Sequence, residues 1–190
     1  MSYNATGALQ GGNLTLANPA IGGLSGAAST FTTTNAISYS VAGRLFSKAA
    51  IGATAVPVND ASTILATSGT AATGAAFRPL VAQQTPTGYS ANIIYAGSVA
   101  CFVFGLDALG NVRVAQGRVV QYSDTSANST TVPLPTLPDW MTPFAYAVIK
   151  LVSTTAASWT FGTSLWNATG ITIDAPVNIM AVPPTDPITV

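Results

Sequence analysis

Six aspartates (Asp60, Asp107, Asp124, Asp139, Asp174 and Asp186) and one cysteine, Cys101, carry most of the acid–base chemistry open to this chain, which has no glutamate and no histidine. Paired carboxylates act as acid and base when both reach one substrate in environments that separate their pKa values. Here the aspartates fall in sequences that read as loops or turns, and Asp107 and Asp124 bracket the ends of one expected strand, too far apart to share a site. Serine and threonine are plentiful, but a hydroxyl nucleophile normally needs a base, and histidine is missing. Zinc asks for clustered Cys or His, calcium for several acids within about twelve positions, and neither pattern occurs. No GxxxxGK[ST] phosphate loop is present, and Gly11–Gly12 and Gly22–Gly23 read as flexible glycine. The expectation is therefore a protein that is not an enzyme, with no cofactor and no metal; a hydrolase with an aspartate-only site is the residual enzymatic alternative.

Charge is scarce throughout. Charged residues make up 6% of the chain, against about 25% in an ordinary soluble domain, while 48% is hydrophobic. Low charge raises the question of a membrane, yet a span needs roughly 18–20 consecutive apolar residues. The most apolar run, Val99–Leu106, is short and ends at Asp107, so no membrane is expected. The opening residues, MSYNATGALQGGN, lack the basic and apolar regions of a secretory signal. The four Asn-x-Ser/Thr sequences at Asn4, Asn13, Asn128 and Asn167 then read as chance in a Ser/Thr-rich chain. Arg44, Lys48, Arg78, Arg113, Arg118 and Lys150 are scattered and balanced by the aspartates, which points away from nucleic acid. Cys101, alone and set in VACFVF, reads as a buried core thiol rather than a nucleophile.

The elements that must position these residues read as strands. Thr, Ser, Val and Gly dominate, which disfavours helices. Ile37–Val41 alternates apolar and polar residues, Ala42–Gly43 supplies a turn, and Leu45–Phe46 begins the return, so 36–49 reads as a hairpin. Residues 98–122 carry the strongest signal: an apolar strand buried on both faces, a turn at Asp107–Asn111, and a return in which Gly117 marks a bulge. Pro133, Pro135, Pro138 and Pro143 exclude a helix or central strand and predict an extended path over the surface. At most one short helix is expected, near 138–142, capped by Asp139. Strands follow at 144–152, around Trp159 and Phe161, and at Ile171–Ile173.

The reading is all-β, a β-sandwich of jelly-roll-like type with extended N- and C-terminal arms: an arm over 1–30, a domain over 31–174 and a tail over 175–190. Leu14, Leu16, Ile21 and Leu24 are spaced too widely for a helix or solid strand and are candidate contacts of an arm that orders against a partner. Trp140 and Trp166 occupy loop-like contexts, DWMTP and SLWNATG. Each is either an interface anchor or a plug at an end of the sandwich. The tail Ile188–Val190 is read as an unstructured end, with addition to a partner's sheet edge as the alternative.

Four segments, TTTNAISYSVAGRLFSKAA, GLDALGNVRVAQG, LPDWMTPFAYAVIKL and WTFGTSLWNATGIT, occur in this order between about residues 30 and 174. Together they resemble virion structural proteins of tailed bacteriophages. The resemblance covers about two thirds of the chain and is one of style and segment order, with no defined site to carry over. It implies a capsid decoration or cement protein on the virion surface, made in the host cytoplasm, with the major capsid protein as partner. A homotrimer that covers its own sheet edges is the expected assembly. The alternative is a head or tail fibre module that recognises a host glycan by stacking on Trp140, Trp166 or Tyr122.

Overall fold

Among the described residues every regular element is a strand, and no helix is long and apolar enough to cross a membrane. The structure, a computed structural model, describes residues 13–25, 30–52, 54–55, 58–59, 65–67, 93–94, 96–117, 119–121, 131–135, 137, 139–152, 159–160, 164–174, 176–179 and 188–189. In chain order the strands are β1 (Ile21–Gly22), β2 (Thr30–Thr33), β3 (Ile37–Val41), β4 (Arg44–Lys48), β5 (Thr54–Ala55) and β6 (Val58–Asn59). They continue as β7 (Leu65–Thr67), β8 (Ile93–Ile94), β9 (Ser98–Leu106), β10 (Val112–Gln116), β11 (Val120–Gln121) and β12 (Thr131–Val132). The last are β13 (Thr142–Leu151), β14 (Trp159–Thr160), β15 (Ile171–Ile173), β16 (Val177–Asn178) and β17 (Ile188–Thr189). The strand pairings are antiparallel, and the fold class is all-β.

An eight-stranded sheet runs in the order β15-β13-β9-β10-β7-β6, with β11 also beside β9 and β16 beside β13. Its centre is β9, buried at all nine positions, as its continuous apolar sequence predicts. Alternate residues of β9 feed two cores: Ala100, Phe102, Phe104 and Leu106 on one face, Val99, Cys101 and Val103 on the other. The first core gathers Phe31, Ile37, Tyr39 and Phe144, with Phe104 at 5.5 Å from Phe31 and 6.3 Å from Phe144 between ring centroids. Each such side chain, fully buried, contributes roughly 1.5–3 kcal/mol.

Two irregularities shape this sheet. Gln116 pairs with Phe102 but Val120 pairs with Val99, so the return strand carries one extra residue at the expected bulge. A Cβ on Gly117 would lie 2.5 Å from the Pro133 carbonyl oxygen, which is why glycine is needed there. The second bulge corrects the reading of Pro143. That proline lies inside β13, the long strand beside β9, rather than on a surface path. Register shifts between Pro143 and Ala145, and Phe144 and Ala145 both enter the first core. A bulge is where a sheet tolerates a residue without an N–H. Among the described residues 139–142 there is no helix; Asp139 and Trp140 make a turn that leads into β13.

The described residues nearest each end bond to the rest of the chain. Residues 14–16 lie along β3, where Leu16 N–H donates to the Ser38 carbonyl and Ser40 N–H to the Leu14 carbonyl, both at 2.8 Å. β1 pairs with β2, and Ile21 N–H donates to Asn178 Oδ1 at 2.9 Å. Residues 14–16 and 21–22 thus hydrogen-bond to strands of the same chain. At the other end β16 joins β13, and Ile188 and Thr189 pair with Val132 and Thr131 of the same chain.

Candidate functional site

Three short connections meet at one end of the main sheet: the Asp107–Asn111 turn, the β3–β4 hairpin and the Asp139–Met141 turn. Each is held by side chains whose chemistry suits the task. Asp107 follows β9 and closes its own turn, its Oδ1 accepting the N–H groups of Leu109 and Asn111, each at 2.9 Å. Its Oδ2 accepts Asn111 Nδ2 at 3.0 Å and two N–H groups of Arg113, Nε at 3.1 Å and Nη2 at 2.9 Å. The Arg113 guanidinium then lies over the Trp140 ring, 5.9 Å from its centroid. Tyr39 O–H donates to the Asp107 carbonyl at 3.0 Å and fastens the hairpin to the same turn.

Asn13 ties the other two connections together. Its Oδ1 accepts Ala42 N–H in the hairpin turn at 2.6 Å, while its Nδ2 donates to the carbonyls of Asp139 and, at 3.3 Å, Met141. Thr15 Oγ1 donates to the Pro143 carbonyl at 2.8 Å, and Thr142 Oγ1 donates to the Ser40 carbonyl. These bonds reach backbone groups that the bulge and turns leave outside the ladders.

The electrostatics favour structure over proton transfer. Burial pushes the Asp107 carboxyl up, but the donors from Asn111, Arg113 and Leu109 outweigh it and hold the carboxyl below its ordinary value. Five N–H groups occupy its lone pairs, so it is ionised at neutral pH and poorly placed to accept a proton. Burial, and then the Asp107 charge, raise the Tyr39 hydroxyl. Cys101 is buried and its thiol is pushed up to about 12 by desolvation, which fits an inert core thiol. Asp174 pairs with Lys150 at 3.0 Å. Among the described residues no group of three His, Cys, Asp or Glu converges on a point that would hold a metal. Asp60, Asp124 and Asp186 lie outside the described residues.

This end exposes large apolar side chains beside polar ones such as Arg44 and Asp139. Leu109 at the tip of its turn is 87% exposed, Leu45 on β4 is 74% exposed, and Trp140 is 45% exposed. Of the six residues singled out from sequence, Trp140 alone sits here. Leu16 is exposed elsewhere along the β3 edge, at 49%, and Leu14 is half-buried beside it. Ile21, Leu24 and Trp166 are buried in the chain's own first core. Trp166 packs tilted against Trp159 at 5.3 Å and donates its Nε1–H to the Thr30 carbonyl at 2.8 Å, so it is buried rather than exposed. Tyr122 lies outside the described residues. Sequence reading missed Asn13, Thr15, Leu45 and Leu109. Only the spacing of Asp107 and Asn111 within one turn carried a local signal; Asn13 acts on residues 126 and 128 positions away.

Comparison with family models, curated proteins and solved structures returns no match, so the functional reading rests on the residues themselves.

Proposed function

We propose that this chain is a non-enzymatic virion structural protein of a tailed bacteriophage, a decoration or cement protein that binds across capsid subunits and stabilises the shell. The observation that carries this reading is the end of the sheet just described: Leu109 and Trp140 stand exposed on turns locked by side-chain bonds, with Leu45 exposed on β4 just past the hairpin turn. Apolar anchors on a preorganised surface bind with little ordering cost, and interface cores are depleted in charge as this chain is. Many copies on one shell multiply modest contacts. The major capsid protein is the proposed partner and the virion surface the proposed location. In the same reading the two cores either side of β9 belong to a sandwich of jelly-roll-like type. A closed homotrimer is the proposed assembly; a stable monomer by light scattering at micromolar concentration overturns that part.

Particles that lack the protein are expected to lose genome on heating earlier than complete ones, and add-back of the purified chain to restore them. Trp140→Ala and Leu109→Ser are expected to lower occupancy without unfolding the chain. Unchanged particle stability overturns the reading. The second reading, a fibre module for a host glycan, draws on the exposed Trp140 ring beside the Arg113 guanidinium. Saturable binding of wild type, but not of Trp140→Ala, to host cells favours it instead.

A further inference from the structure

The hairpin β3–β4 forms a sheet of two strands, and the bonding pattern shows which groups face outward on each side. Val41 pairs with Arg44 across a turn in which Ala42 and Gly43 have φ of 49° and 78°, a two-residue connection of the I′ kind. Such a turn makes Val41 and Arg44 a hydrogen-bonded pair, and the pattern then alternates along the ladder. On β3 the alternation is visible: Ser38 and Ser40 direct their main-chain groups away from β4, to Leu16 and Leu14. On β4 the same alternation sends the N–H and C=O of Leu45 and Ser47 to the outer edge. There no strand meets them among the described residues, and no further partner of residues 44–48 exists there.

The side chains of this edge are specific about what fits. Arg44 and Lys48 flank Phe46 on one face, and neither forms an ion pair among the described residues. A second copy of β4 added antiparallel about Phe46 would set each Arg44 opposite the other's Lys48, like charges directly across the ladder. The edge therefore resists its own copy, as edge cations generally do. An incoming strand with acidic side chains opposite Arg44 and Lys48 meets the reverse situation, two opposite-charge pairs and main-chain groups that no described strand pairs.

We infer that the outer edge of β4 is a strand-addition site for an extended, acidic segment of a partner protein, read through Leu45 and Ser47 by backbone and through Arg44 and Lys48 by charge. This site adjoins the exposed Trp140 end, and its assignment to a capsid partner rests on the decoration reading; the chemistry of the edge does not.

Two arms test it separately. In the first, the isotope-labelled protein is titrated with the peptide Asp-Val-Thr-Val-Asp and, in parallel, with Lys-Val-Thr-Val-Lys. The acidic peptide is expected to shift the amides of Leu45 and Ser47 and slow their hydrogen exchange, binding about fivefold or more tightly than the basic one. Arg44→Glu with Lys48→Glu is expected to reverse the preference, and its unchanged core resonances verify folding. No response at Leu45 and Ser47, or an equal response to both peptides, overturns the inference. In the second arm, wild type and the same double variant are added to particles lacking the protein. Failure of wild type to bind there counts against the capsid reading alone. Equal binding of wild type and the variant overturns the use of this edge on the shell.

Discussion

Arg113 donates two N–H groups to a single oxygen of Asp107 and lays the same guanidinium over the Trp140 ring. One aspartate thereby orders its own turn and, through Arg113, holds the ring that the surface presents. The ion pair is largely screened from water, with side-chain exposures of 21% and 10%, so its bonds are stronger than those of a free surface pair.

Asp107→Asn removes the charge and leaves one acceptor for Arg113. We expect a loss of about 2 kcal/mol in urea unfolding and a change in Trp140 fluorescence quenching, because the ring loses its held cation. The pH dependence has a definite sign. The folded carboxyl lies below its unfolded value, near 3.9, so its stabilisation is complete above about pH 5 and is lost as pH falls through the folded value. Asp107→Asn should flatten the stability profile in that acid window and leave the neutral range parallel to wild type.

Asn13→Ala removes the bonds to Ala42, Asp139 and Met141 together. The buried Met141 carbonyl and two partly buried groups lose that partner, so a cost of about 1–2 kcal/mol is expected. Amide exchange should quicken at Ala42 and along residues 14–16 before the main sheet responds. Uniform change across the chain would count against Asn13 as the tie between the three segments.

Gly117→Ala sets a methyl 2.5 Å from the Pro133 carbonyl and 3.3 Å from the Cys101 carbonyl. Both contacts are with backbone, which cannot rotate away. A destabilisation of about 2–3 kcal/mol is expected by chemical denaturation; a neutral effect would mean that the 133–135 segment moves freely.

Ala42 adopts a φ of 49°, which strains an L-residue with a Cβ. Asparagine accepts that conformation more readily, and Asn-Gly is the preferred pair for this turn. Ala42→Asn should stabilise by about 0.5–1 kcal/mol, seen as a Tm rise of a few degrees.

Cys101 offers a probe of opening. With its thiol buried and pushed up to about 12, it should resist a thiol reagent at pH 8 in the folded protein. Modification should track unfolding in urea. Rapid labelling of the native chain would place the thiol nearer the surface than the core assignment allows.

The strands were legible where their pattern was local. β9 and its turn follow from an apolar run ended by Asp107 and Gly110, and the β3–β4 hairpin from alternation around Ala42–Gly43. Pro143 was misread because a proline's missing N–H excludes a regular ladder but not a bulge, and the bulge exists only once β9 and β16 lie beside Phe144. Trp140 and Trp166 carry similar sequence contexts and opposite environments, one at the surface and one against Trp159.

The all-β class, the central apolar strand, the Gly117 bulge and the lack of charge were set by residue type and spacing alone, because backbone propensity, side-chain alternation and turn chemistry act within a few residues. The joining of Asn13 to the hairpin and the Trp140 turn, the burial of Ile21 and Leu24, and an outer edge of β4 that no other described strand pairs were decided by tertiary structure. Each depends on which distant backbone groups are left without a ladder partner, and that is known only when the strands have been placed side by side.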